Sequence, residues 1–306
     1  MPADELRREV PVAVAVSPVP LNGQDQTLER TGALIYRGGV EIAAPNEPHF
    51  GGLSGLGVSS DGNSFAAISD MGYWVRGRLD YDNAGNLVGV GNVRMGPLLD
   101  PQGRVIAGKA RGDAEALASD GRGGSLVAFE QQHRLWRYEA LDGPASVVEA
   151  PPGLEQAPAN GGAEAVARLV DGRTLILTES LAVDGGSRGW IGKPGDWSAL
   201  TLVTVDGFAA TDAASLPDGD VLVLERRFPP VGARVRRIDA AALAPGARLE
   251  GREIARLEGS DTVDNMEGLA VRRGERGETL IYLLSDDNYS PLQRTLLMMF
   301  ELKSRP

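Results

Sequence analysis

The sequence predicts an all-β chain folded as a single β-propeller of four-stranded blades, five in number, with six as the alternative. Three observations carry that expectation. An apolar strand opening on a polar residue, a tight turn and a second apolar strand closing on an acid recur five times along the chain. The period lies near fifty residues, which is the length of a propeller blade. No long stretch has apolar residues at helical spacing, whereas 40 glycines and 19 prolines suit many short strands joined by turns.

Residues 1–30 read as an extension ahead of the propeller, which is expected over 31–306. The extension begins polar, and its apolar run Val10 to Val16 is broken by Pro11 and followed by Pro18 and Pro20. That pattern suits a strand on the outside of the fold better than a signal peptide, which needs a basic start and a longer apolar middle. Residues 31–43 read as one or two strands before the first repeat, and Thr295 to Leu302 as one strand after the last. A propeller closes when an N-terminal strand completes the final blade and removes its open edge, so both termini are expected in one blade.

The repeats follow in order. Gly52-Leu53-Ser54-Gly55-Leu56-Gly57-Val58 turns at Asp61-Gly62 and ends on Ser69-Asp70. Ala114-Glu115-Ala116-Leu117-Ala118 turns at Asp120-Gly121 and ends on Phe129-Glu130. Ala163-Glu164-Ala165-Val166-Ala167 turns at Asp171-Gly172 and ends on Thr178-Glu179. Thr211-Asp212-Ala213-Ala214 turns at Asp218-Gly219 and ends on Leu224-Glu225-Arg226. Asn265-Met266-Glu267-Gly268-Leu269 turns in the polar segment 272–279, returns as Leu280 to Leu284 and ends on Ser285-Asp286-Asp287-Asn288. Four Asp-Gly turns at corresponding places are a strong hairpin signal, though one alone would mean little.

The polar markers stand at 54, 115, 164, 212 and 267, in steps of 61, 49, 48 and 55. Each unit has room for two further strands. These are Tyr73 to Tyr81 with Leu87 to Leu98, and Arg134 to Ala140 with Ser146 to Ala150. In the third unit the Gly-rich passage Asp184 to Trp190 leads into Leu200 to Val205, and in the fourth Ala233 to Asp239 precedes Arg252 to Leu257. The long first unit is where a degenerate sixth blade would hide.

Composition excludes several functions. A formal net charge of −11 leaves no basic stripe to displace counterions from a nucleic acid. Zero cysteines exclude disulfides and thiolate chemistry, and with two histidines they argue against zinc or copper. No run of eighteen apolar residues marks a membrane helix. The glycine clusters at Gly91 to Gly96 and Gly185 to Gly189 lack a Walker lysine or a following helix, so no nucleotide is expected, nor haem.

First strands of propeller blades line the central channel, so Ser54, Glu115, Glu164, Asp212 and Glu267 are expected to form a ring. Converging carboxylates repel one another, and a hard cation such as Ca²⁺, bound by oxygen ligands, would relieve that repulsion. Glu115, Glu164, Asp212, Glu267 and Asp286 are the candidate metal ligands. The alternative is that each acid caps a turn or pairs with an arginine. The second-strand ends Asp70, Glu130, Glu179, Glu225 with Arg226, and Asp286-Asp287-Asn288 form a second tier. They could hold a water as general base, bind substrate hydroxyls or complete metal coordination. Arg226 and Arg227 could bind an anion such as phosphate, or pair with neighbouring acids. His49 and His133 stand near the same rim as candidate bases, each with a plain surface role as the alternative. Around Ser54 the chain imitates a nucleophile elbow, but the second glycine falls one position early and the strand-turn-helix context is missing.

Together, GGLSGL (51–56), AEALA (114–118), AEAVA (163–167), LVLER (222–226), NMEGLAV (265–271) and LLSDDN (283–288) resemble the bacterial phytase-like family named for the esterase-like activity of phytase. The resemblance covers about residues 31–302, and the last two motifs are its most specific part. It implies a propeller, export to the periplasm or beyond, and hydrolysis of phosphate or carboxylic esters. By position it points to Ser54, Asp70, Glu164, Glu179, Glu225, Arg226, Glu267, Asp286, Asp287 and Asn288. The chain departs from the family pattern in reading Glu-Ala for Glu-Gly in its second and third units and Thr211-Asp212 in its fourth.

Two functions stay open. The first is a metal-dependent, calcium-type hydrolase of a small ester, lactone or phosphoester, expected as a monomer. Its base would be a rim carboxylate or His49; His49, Asp70, Glu179, Glu225, Arg226 and Asp287 are the catalytic candidates, and Ser54, Glu130, Arg226 and Asn288 the substrate-binding ones. The second is a non-catalytic propeller that binds a sugar or a peptide. Trp74 or Trp190 over the mouth, with the acids satisfied by arginines, would favour that binder.

Overall fold

A computed structural model describes residues 9–106 and 108–303. Its strands form five sheets arranged as the blades of a propeller. The inner strands are Leu53–Val58, Ala114–Ser119, Ala163–Arg168, Ala209–Ser215 and Asn265–Arg273, and each packs on the next around a closed ring. The sixth-blade alternative is not found. The extra length of the first unit lies in the long outer strands Tyr73–Tyr81 and Leu87–Pro97 and in the loop to the one-turn helix Lys109–Gly112.

Alternation along each strand builds the core. A blade lies between two others, so both its faces are apolar and the strand reads as a continuous hydrophobic run. Leu280, Tyr282 and Leu284 pack into the cluster shared with blade 1, while Ile281 and Leu283 between them pack into the cluster shared with blade 4. Leu222 and Leu224 likewise face blade 5, and Val221 and Val223 face blade 3. Each such side chain, fully buried, contributes about 1.5–3 kcal/mol.

Leu34–Ala43 pairs with Leu296–Leu302, so an N-terminal strand completes the final blade as expected. The extension crosses two blades. Val10–Pro11 adds to the outer edge of blade 1 through Val10 and Met95, and Ala15–Pro18 adds to blade 5 against Leu34–Ala43.

Gly62, Gly121, Gly172 and Gly219 all take positive φ, which explains the four Asp-Gly turns. The third unit differs from its expected layout. Gly186–Lys193 is itself a strand, and it forms a hairpin with Asp196–Val203. Its glycines admit close approach: a Cβ on Gly189 would lie 2.8 Å from the Ile176 carbonyl oxygen. Among the described residues no helix is long and apolar enough to cross a membrane.

Candidate active site

Every inner strand carries a β-bulge near its start. The ladders skip Gly55, Glu115, Glu164, Thr211 and Glu267, one residue per blade. A bulge re-aims a side chain, and here it places the three glutamates at one end of the propeller. The equivalent positions in blades 1 and 4 are therefore Gly55 and Thr211, one residue before or after the expected markers.

That slip changes two expected roles. Asp212 was expected among the metal ligands, but its Oδ1 accepts from Ala213 N at 2.8 Å and its Oδ2 from Leu269 N at 2.7 Å. It is fully buried and ties blade 4 to blade 5; burial pushes its carboxyl well above the usual range against those N–H groups. Ser54 is buried opposite Ile68, one place before the bulge.

The second tier obeys the same register. The residue two before each bulge is level with Ser69, Glu130, Glu179, Arg226 or Asp286 on the second strand. In blade 4 the mouth position belongs to Arg226. Its neighbour Glu225, expected to be catalytic, faces the other way and is fully buried between Arg234 and Arg236, at 2.7 and 2.6 Å. Strand alternation makes the distinction.

At the mouth, Arg226 Nη2 donates to Glu179 Oε1 at 3.1 Å, and its Nε stands 2.9 Å from Glu267 Oε1 without hydrogen-bond alignment. Asn265 Nδ2 donates to the same Glu267 oxygen at 2.8 Å, whereas the buried Oε2 has no hydrogen-bond partner. Burial raises the Glu267 pKa to about 8, with Arg226 opposing it. Asp286 is raised to about 7 by burial, opposed by the Asn288 N–H that it accepts at 2.6 Å. Glu115 and Glu164 are pushed well above the ordinary range by burial and then by neighbouring acids, Asp113 for Glu115 and Glu115 for Glu164. Glu130 is raised by burial, against the lowering influence of Glu164 and of the Gly161 and Gly162 N–H groups that donate to it.

The sequence reading missed Asp113. It stands two residues before Glu115, between the one-turn helix and the strand, and Asp113, Glu115 and Glu130 each offer an oxygen within 4.8 Å of the others. All three are buried. Neither Asp113 oxygen has a hydrogen-bond donor, unless Glu115 keeps a proton to give. Lys109 stands between two acids, with Nζ 3.0 Å from Asp70 Oδ2 and 3.3 Å from Asp113 Oδ1. Asp70 Oδ1 is also buried without a donor, and burial raises the Asp70 carboxyl against the pull of Lys109. The donor set is all oxygen, crowded and under-satisfied, which fits a hard divalent cation.

The remaining candidates have other surroundings. Asp287 Oδ1 accepts from the Gly52 and Tyr289 N–H groups and its Oδ2 from the Thr295 hydroxyl, so it ties the last loop to blade 1. Asn288 is exposed beside it. His49 packs its ring on Tyr73, 5.1 Å between centroids. His133 Nε2 meets the Ala157 carbonyl at 3.1 Å, and a Cβ on Gly162 would touch its ring. Arg227 stacks on Phe208 and pairs with Glu258. Trp74 and Trp190 are buried, so neither lies over the mouth; Tyr289, 41% exposed, is the aromatic residue beside it.

A cavity of about 1090 Å³ opens at the opposite end beside Ser59 and Asn63. Among its arginines, Arg76 and Arg94 pair with Glu9 and Arg78 pairs with Asp80. The buried carboxylate oxygens of Asp70, Asp113 and Glu267 that lack a partner belong to the acidic end.

The family profile described as esterase-like activity of phytase matches residues 48–289. The chain belongs to this phytase-like family. The match spans all five inner strands and ends just past the Asp286-Asp287-Asn288 loop. No curated protein matches the chain. Among solved structures, a protein of unknown function from Bacteroides caccae is 16% identical, covering 76% of this chain and 68% of its own, with a TM-score of 0.35. One from Desulfotomaculum acetoxidans is 11% identical over 81% and 70%, with a TM-score of 0.38. A gluconolactonase of Xanthomonas campestris is 10% identical over 94% and 90%, with a TM-score of 0.46. Likenesses at these scores carry no functional argument.

Proposed function

We propose that this phytase-like chain is a hydrolase of small carboxylic ester or lactone substrates, acting at the acidic mouth with a hard divalent cation. The observation that carries the reading is the convergence of buried carboxylates with unpartnered oxygens at Asp70, Asp113 and Glu267. Burying several acids together is costly unless protons or a cation compensate. The family's description supports ester hydrolysis.

Asp113, Glu115 and Glu130 would hold the ion. Bound there, a calcium-type ion supplies Lewis-acid polarisation of a carbonyl and lowers the pKa of water. The chain's own groups do the rest. Arg226 and Asn265 fix Oε1 of Glu267, leaving Oε2 to take a proton from an attacking water. A carboxyl titrating near 8 can exchange protons at neutral pH, and Asp286, near 7, can return one to the leaving oxygen. Glu267 takes the base role because the His49 ring is packed on Tyr73. The acids are not saturated by arginines, and Trp74 and Trp190 are buried, so the ligand-binding alternative has less support.

The test is a screen of p-nitrophenyl esters, lactones and phosphomonoesters with calcium and with EDTA, using Glu267→Gln as control. Ester or lactone turnover lost in the variant and in EDTA is expected. Turnover unchanged in Glu267→Gln would remove the assigned base, and turnover indifferent to EDTA would remove the metal from the reading.

A further inference from the structure

We propose that Lys109 is a built-in counter-ion for the Asp113–Glu115–Glu130 pocket, and that a divalent cation entering the pocket displaces it from Asp113. The inference rests on the metal reading above. Three observations carry it. Asp113 is fully buried with both oxygens lacking a hydrogen-bond donor, and the Lys109 ammonium stands 3.3 Å from its Oδ1 as an ion pair. That ammonium has a second anchor, Asp70 Oδ2 at 3.0 Å, so it can leave Asp113 without losing a partner. The Lys109 side chain is 48% exposed and springs from a one-turn helix, so a route outward is open.

The exchange has a charge logic. A monovalent ion replacing Lys109 at Asp113 brings the same single charge, whereas a divalent ion brings one more to a site with three carboxylates. The lysine therefore holds the pocket open in the empty chain and sets a threshold that favours divalent over monovalent ions. It also lowers affinity, since the cation must enter beside a retained positive charge.

The test is calorimetric titration of chelator-stripped full-length protein with CaCl₂. Wild type is compared with Lys109→Met, Lys109→Gln, Lys109→Arg and Asp113→Asn, each also melted without calcium to establish folding. Both neutral Lys109 variants should bind calcium at least about tenfold more tightly than wild type, given a unit charge removed within a few ångströms of the ion. Lys109→Arg should bind no more tightly than wild type, and Asp113→Asn should lose binding. If wild type binds calcium but the folded neutral variants bind equally or more weakly, Lys109 is no competitor and the proposal falls while the metal reading stands. If neither wild type nor the neutral variants bind, both fall.

Discussion

Arg226 Nε lies 2.9 Å from Glu267 Oε1, and the same guanidinium reaches Glu179 Oε1 at 3.1 Å through Nη2. One arginine of blade 4 thus joins acids of blades 3 and 5 across the mouth. Replacing it by methionine leaves two acids without their cation. Unfolding free energy should fall by about 1–3 kcal/mol, the usual penalty for orphaned buried groups. Arg226→Lys keeps the charge but not the two-armed reach, and should recover part of the loss. Urea unfolding at pH 7 measures both, and equal stability of Arg226→Met and wild type would refute the bridge.

Glu225 should behave as its neighbour's opposite. Arg234 and Arg236 are each 3% exposed and both address its carboxylate. Glu225→Gln should cost about 3–5 kcal/mol, because it leaves buried guanidinium charge unpaired. Any turnover by the folded fraction should persist, since the side chain points away from the mouth. Denaturant melts and activity per folded molecule separate this from Glu267→Gln, which should lose turnover and keep most of its stability.

The contrast also shows what the sequence could and could not reveal. Period-two apolar runs such as Leu280 to Leu284 and the Asp-Gly turns are local, so blade number and closure were legible. A bulge has no local signature, and it decides which of two neighbouring residues takes the mouth position. For that reason Ser54 and Asp212 stood in the expected ring in place of Gly55 and Thr211, and Glu225 was expected at the mouth together with Arg226, although its side chain turns to Arg234 and Arg236. Asp113 was legible in principle, as an acid two residues before Glu115 in the same repeat. Lys109 was not, because only the folded loop carries it to Asp70 and Asp113.

Stability without metal should decline as pH rises. The Glu267 pKa goes from an ordinary 4.5 to about 8 in the fold, and that of Asp286 from 3.8 to about 7, so the folded chain binds more protons than the unfolded one. Their stabilising contribution is complete below the unfolded values and is lost as pH rises through about 7 and 8. Thermal melts in EDTA between about pH 5.5 and 8.5 should therefore show a falling melting temperature. Glu267→Gln should flatten the upper part of that slope. A melting temperature that stays level or climbs over this range would contradict the raised carboxyls.

Calcium should reverse the trend. Glu115 and Glu130, both raised by burial, must lose protons before they can ligate, so a bound ion stabilises more where protons are scarce. Linkage gives about 2.7 kcal/mol at a free calcium concentration one hundred times Kd, which raises the melting temperature by several degrees. The increment should be larger at pH 8 than at pH 6, and absent in Asp113→Asn, whose native carboxylate lacks any other donor. Asp212→Asn is the discriminating control, because both Asp212 oxygens already serve Ala213 and Leu269. That variant should melt lower at every pH yet keep its full response to calcium. If its response vanished while that of Asp113→Asn survived, the ion would lie on the inner strands of blades 4 and 5, and the bulge register that separates Thr211 from Asp212 would not decide which acids face the mouth.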